Sequence, residues 1–309
     1  MEASITLKKV SKRYDKRSVI TDLSLGIEKG TSFTVIGRDG AGKSTLLKIL
    51  AGLNKIDSGQ VYIKGQEISQ NIDKIRKNIG YLPPYNIHDP WISGQDNLEK
   101  YKEYANLSDL TFQKRYQKYT SMLQLQNQME KLPNYYSKGL KRRLDILLVL
   151  IKEPDIFILD EPLKNLDYKM KEILLDYLNK IKESKTIVIA TDEFREIETV
   201  TDRWIVLHNG TIRYDGNLEK MVEHVDLDFT GHLEIKKVFR EKVTDSLKTS
   251  KLVKNMKDLG NTIEIKTESA EKFWQLIKDL GEDRFCRIAG NSVNMHYLLD
   301  QLTSDEGYE

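Results

Sequence analysis

One stretch limits what this chain can fold into more than any other. Phe33-Thr34-Val35-Ile36 runs into Gly37-Arg38-Asp39-Gly40-Ala41-Gly42-Lys43-Ser44, and Thr45-Leu46-Leu47-Lys48-Ile49-Leu50 follows. A short β-branched run ends in glycine, the turn matches GxxxxGK[ST], and the last piece has helical spacing. Glycines let the backbone bend so that its N–H groups point at phosphate oxygens. The positive end of the following helix favours the same anion. Lys43 is then placed to reach β- and γ-phosphates, and Ser44 to offer its hydroxyl to magnesium. Strand, glycine-rich turn and helix together form a βα unit. That unit implies an α/β fold with a ligand outside the carboxyl end of a buried strand.

Further apolar runs fit that class. Asp155 to Asp160 and Thr186 to Thr191 read as fully buried parallel strands. Ser58 to Gly65 reads as an edge-like strand, and Arg203 to Gly216 as a hairpin about Asn209-Gly210. The clearest amphipathic helix runs from Asp167 to Ser184, where Met170, Ile173, Leu174, Tyr177, Leu178 and Ile181 share one face. Residues from about 89 to 149 are helical and charged, an insertion into the α/β core. Composition shifts near 225 to 231. Thr262 to Thr267, Ser269 to Gly281 and Arg284 to Gly290 then suggest β-α-β, with a last helix near Val293 to Leu302. Phe273, Trp274, Leu276 and Ile277 are expected to form its core. The boundaries expected are 1–225, including a helical subdomain at about 85–150, and a small α+β domain over 226–309.

Two more elements carry chemistry. Asp160-Glu161 ends a buried strand, where a carboxylate meets ligand. Asp160 is the candidate magnesium ligand beside Ser44, and Glu161 the general base for an attacking water. Ser137 could cap a helix striped by Leu140, Leu144, Leu147 and Ile151.

In order and over residues 3 to about 225, these motifs resemble the ATP-binding subunit of an ABC transporter. The fold that resemblance implies is a P-loop NTPase core with an antiparallel β subdomain and a helical subdomain. Tyr136 to Leu144 resembles the family's signature, Leu163 to Asp167 its D-loop, Ile79 to Pro84 its Q-loop, and Gly94 to Leu98 the segment facing the membrane subunit. Tyr14 matches an aromatic that stacks on adenine, a contact worth roughly 1–3 kcal/mol in nucleic-acid cases. The resemblance implies ATP and Mg2+ as cofactors, held by Tyr14, Gly37 to Thr45 and Pro84. It implies a head-to-tail dimer in which Ser137, Lys138, Gly139, Leu140 and Asp167 face a second ATP-binding subunit, identical or paralogous. It also implies a separate transmembrane permease, and a place on the inner, cytoplasmic face of the cell membrane.

The chain departs from the family's pattern at three places. Pro84 stands where the Q-loop glutamine is usual. Lys138 and Leu140 replace the first glycine and a polar residue of the signature. Asp192 stands where the switch histidine would follow its strand, and it joins Glu161 as a candidate catalytic residue. A carboxylate there repels a triphosphate unless it is protonated, turned away or paired with a neighbour such as Arg195. The expectation is therefore a site that binds Mg·ATP and turns over slowly.

Composition narrows the uses. A net charge of +2 and the lack of a basic, aromatic-interleaved stripe argue against a nucleic-acid partner. The longest apolar run, Ile146 to Ile151, is too short to span a bilayer. The single Cys286 fits a reducing compartment, and the N-terminus lacks signal-peptide architecture. The tail resembles extensions on ABC-2-type exporter ATPases for antibiotics, bacteriocins and peptides. The alternatives are a soluble ABC-type regulator or mechanical factor, and a small-molecule kinase; the kinase leaves the signature-like and D-loop-like segments unexplained.

Overall fold

A computed structural model of the chain describes residues 3–192, 194–224, 229–290, 299 and 302–303. The chain divides into two compact units, residues 1–217 and 218–309. The first unit begins with β1 (Ala3–Tyr14), β2 (Arg17–Glu28), β3 (Ser32–Ile36), α1 (Lys43–Leu50), β4 (Ser58–Ile63) and β5 (Gln66–Glu67). Then come α2 (Ile72–Asn78), β6 (Ile79–Leu82), α3 (Gly94–Ala105), α4 (Asp109–Met122) and α5 (Lys138–Leu150). It closes with β7 (Ile156–Asp160), α6 (Tyr168–Ile181), β8 (Thr186–Ala190), α7 (Phe194–Ile197), β9 (Arg203–His208) and β10 (Thr211–Gly216).

Six of these strands form one sheet in the order β10-β9-β3-β8-β7-β6. All neighbours are parallel except β10, which returns antiparallel along β9. β3, β7 and β8 are buried at every residue, as their unbroken apolar runs require in a sheet covered on both faces. A second sheet, β2-β1-β4-β5, is antiparallel. β4 is therefore an interior strand, not an edge strand; two-residue β5 forms the edge. Helix α1 contributes Leu46, Leu47, Ile49 and Leu50 to a core shared with Ile5, Leu7 and Val61 of the antiparallel sheet and Phe33, Ile158 and Val188 of the parallel sheet. Burying four such side chains supplies roughly 6–12 kcal/mol of transfer free energy. The helix that follows the phosphate turn is thereby fixed in place.

The insertion packs α3, α4 and α5 together. Ser93 and Asp96 form a capping box at the start of α3, and Ser108 caps α4. No helix among the described residues is long and apolar enough to cross a membrane; Ile146 to Leu150 lie in α5.

The second unit opens with α8 (Leu218–His224) and continues β11 (Phe229–Ile235), α9 (Arg240–Thr249), β12 (Asn255–Asp258), β13 (Thr262–Thr267), α10 (Ala270–Leu280) and β14 (Phe285–Gly290). From β11 onward the order is βαββαβ, with an antiparallel sheet β12-β13-β11-β14. This is the split βαβ arrangement. Ile263 and Ile265 of β13 pack with Leu233, Val243, Phe273 and Ile277. Gly231 lies under Phe273, where a Cβ would fall 1.8 Å from the ring. Trp274 does not join this core: it is 46% exposed, set edge-on to Phe273 at 5.2 Å between ring centroids. One position along a helix turns a side chain by about 100°, which carries Trp274 off the apolar stripe. The helix expected near Val293 to Leu302 falls outside the described residues, except 299 and 302.

Candidate functional site

Three adjacent strands deliver the candidate residues. β3 ends at the glycine-rich turn, β7 ends at Asp160, and β8 between them ends two residues before Asp192. The turn works only with glycine at its last bend. Gly42 has φ 108, and a Cβ there would lie 2.8 Å from the Val19 carbonyl oxygen. That bend leads into α1, whose first amides have no partner within the helix, and α1 carries no acidic residue in its first turn.

A cleft of about 590 Å³ lies over these strand ends. Its lining includes Tyr14, Arg38, Asp39, Gly40, Ala41, Gly42, Lys43, Ser44, Thr45, Pro84, Asp160, Glu161 and Asp192. Gly37 sits at the base of the turn and does not line it. Two further lining cations, Arg17 and Lys164, were not singled out from sequence. The lining carries four basic residues, Arg17, Arg38, Lys43 and Lys164, and four acidic ones, Asp39, Asp160, Glu161 and Asp192.

Lys43 Nζ donates to the Gly37 carbonyl at 2.5 Å and to Asp192 Oδ1 at 2.9 Å. Asp192 thus finds its partner in the phosphate turn; the side chain of Arg195 lies outside the described residues. Asp160 is 2% exposed, and burial raises its pKa against the hydrogen bond from the Ser44 hydroxyl. Its Oδ2 is buried without a hydrogen-bond partner among the described residues. A hard cation beside Ser44 would satisfy that oxygen, so the donor set fits magnesium.

Glu161 adopts a left-handed backbone conformation, φ 51, which costs a non-glycine residue about 1–3 kcal/mol. Its N–H donates to the Ala190 carbonyl at 2.8 Å, tying the ends of β7 and β8 together. Burial first, and the Asp192 charge second, push its carboxyl up to about 7, against a hydrogen bond from Thr191 and the nearby Lys43. A carboxyl poised near neutrality suits proton transfer.

Arg142 is a positioning residue that sequence reasoning missed. It is 3% exposed on α5 and donates to the carbonyls of Pro83 at 2.6 Å, Asp160 at 2.9 Å and Glu161 at 2.7 Å. One guanidinium therefore joins the segment before Pro84 to the end of β7 and helps hold Glu161 in its strained conformation. Its place four residues before Ile146, on the buried side of the helix, was the available signal.

Tyr14 borders the cleft with its ring under Lys12 at 5.3 Å, and its hydroxyl accepts from Asn54 at 2.6 Å. The signature-like residues lie apart from this cleft. Ser137 caps α5, accepting from the Leu140 N–H at 3.3 Å; Ser137 and Lys138 are exposed. Gly139 approaches the Asn165 carbonyl closely, and Asp167 caps α6 while pairing with Arg143 at 2.5 Å. The signature-like and D-loop-like segments are thus joined to each other.

A family model described as ABC transporter matches residues 20–164. A probable sulfate/thiosulfate import ATP-binding protein from Chlorella vulgaris is 30% identical over 223 residues, covering 72% of this chain and 94% of that protein. The chain belongs to the ABC transporter family, as an ATP-binding subunit. This ABC ATPase is also 28% identical over 221 residues to a Nod factor export ATP-binding protein I from Ralstonia nicotianae, 71% of this chain and 69% of that protein. Among solved structures, an ATP-binding cassette dimer in a post-hydrolysis state, bound to ADP and Pi, superposes with a TM-score of 0.65 at 27% identity, covering 69% of this chain and 98% of that one. The fold of this ABC ATPase is accordingly the P-loop NTPase fold of its family.

Proposed function

We propose that this ABC ATPase binds Mg·ATP in the cleft above β3, β8 and β7, hydrolyses it slowly there, and works with a separate permease. The observation that carries the reading is the convergence of Lys43, Ser44, Asp160 and Glu161 on one cleft at the carboxyl ends of parallel strands. The backbone amides from Gly40 to Thr45 and the Lys43 ammonium would bind the phosphate tail, and Tyr14 would stack on the base. Ser44 and Asp160 would hold Mg2+, which neutralises charge on the phosphate oxygens when bound. Glu161 would orient a water and take its proton as the water oxygen bonds to the terminal phosphorus and the bond to ADP breaks.

Two side chains support slow turnover. Pro84 lines the cleft without an amide to orient water, and Asp192 presents a carboxylate where a donor to the terminal phosphate would serve. The start of α5, with exposed Ser137 and half-buried Gly139, is free of the chain's own cleft and can face the nucleotide of a second subunit, identical or paralogous. ATP shared across such a pair would favour the closed state over the open one and so drive the permease. The relatives include both an import and an export protein; the C-terminal extension supports an exporter of peptide, antibiotic or lipid-like cargo, with the chain on the inner face of the cell membrane. The test is ATP hydrolysis by the purified chain beside Glu161→Gln. Slow, Glu161-dependent turnover is expected; rapid turnover in both proteins would overturn the assignment.

A further inference from the structure

The phosphate-binding lysine is already occupied. Lys43 is 11% exposed, and its ammonium is held between the Gly37 carbonyl and Asp192 Oδ1, both within hydrogen-bond distance. Asp192 is 56% exposed and rides on the short turn between β8 and α7, bordering the same cleft as the P-loop. A carboxylate 2.9 Å from this nitrogen has the charge and hydrogen-bonding oxygens of a phosphate group.

We propose that Asp192 is an internal competitor for the nucleotide's phosphates: it holds Lys43 in an ion pair, and ATP seats only as that pair opens. The proposal rests on the cleft being the ATP site. Affinity for the nucleotide is then reduced by the fraction of chains in which Lys43 is already released. Once Lys43 turns to the phosphates, Asp192 is left as a like charge beside them. The turn between β8 and α7 must move away, so nucleotide occupancy is read out as a displacement of Thr191 and Asp192.

Calorimetric titration of the full chain with Mg·ATP tests this, using Asp192→Asn, Asp192→Ser and Asp192→Glu. The neutral variants should bind about three- to twentyfold more tightly, the range for one half-exposed ion pair plus one like-charge contact. Asp192→Glu keeps the charge and should stay within about twofold of the parent protein. In the parent protein, Mg·ATP should raise hydrogen exchange in the peptide spanning 190–197, and the neutral variants should show the raised level without nucleotide. Equal affinity in all four proteins, or a gain in Asp192→Glu equal to that of Asp192→Asn, overturns the competitor. Absence of binding in the parent and both neutral variants would sink the ATP site itself along with it.

Discussion

Glu161→Gln should make the free protein more stable at alkaline pH while abolishing turnover. The Glu161 carboxyl is pushed from 4.5 to about 7 by burial and by Asp192. The folded chain therefore keeps a proton that the unfolded chain has already lost. Between those two pH values the unfolded state binds fewer protons, so stability falls as pH rises. At about 1.4 kcal/mol per pKa unit the full interval is worth roughly 3 kcal/mol. The cleft is open to water, which screens the charge, so about 1–2 kcal/mol is the realistic share. Glutamine has no charge to bury. Melting should be followed calorimetrically without nucleotide at about pH 5 and about pH 8, where the window is almost closed and fully open. The transition of the unit spanning 1–217 should be similar for both proteins at the lower pH. At the higher pH the variant should melt about 2–6 °C above the parent. Parallel pH profiles for the two proteins would refute the claim that Glu161 is a buried, destabilised carboxylate.

Arg142→Met removes a buried cation but strands the carbonyls of Pro83, Asp160 and Glu161; it should cost about 2–4 kcal/mol in denaturant unfolding and abolish hydrolysis. Gly42→Ala places a Cβ against the Val19 carbonyl at positive φ, so it should lose about 1–3 kcal/mol of stability and its Mg·ATP affinity together. Ser137→Ala removes the α5 cap and should cost about 1 kcal/mol in melting experiments. The same change should leave Mg·ATP binding by the isolated chain intact and slow only hydrolysis by the assembled pair. An unchanged rate in the pair would restrict Ser137 to capping.

Much of the architecture was legible because its signals are local. A β-branched run ending in Gly37 and an apolar run ending in Asp160 can be placed without knowing their neighbours, since strands covered on both faces are apolar throughout. The Asn209-Gly210 turn announces its hairpin in the same way, with both residues at positive φ. What stayed hidden depends on contacts distant in sequence. β6 is only four residues long and follows a short, charged helix, so neither element stands out from the surrounding loop. Arg142 looks like one more basic residue in Lys141-Arg142-Arg143 until α5 is packed against the ends of β6 and β7. The partner of Asp192 could not be read from its neighbours, because Lys43 lies 149 positions away and meets it only where β3 and β8 run side by side. Trp274 was misplaced because its neighbour Phe273, not Trp274 itself, faces the sheet.

The central claim is that the turn from Gly37 to Ser44 grips a magnesium-bound triphosphate, with Lys43 contributing directly. Isothermal titration of the parent chain and Lys43→Ala with Mg·ATP measures this most directly. Saturable binding by the parent, lost or weakened at least about tenfold in Lys43→Ala, is the result the account predicts. Binding that is absent from a folded parent chain, or is unchanged by Lys43→Ala, would contradict it.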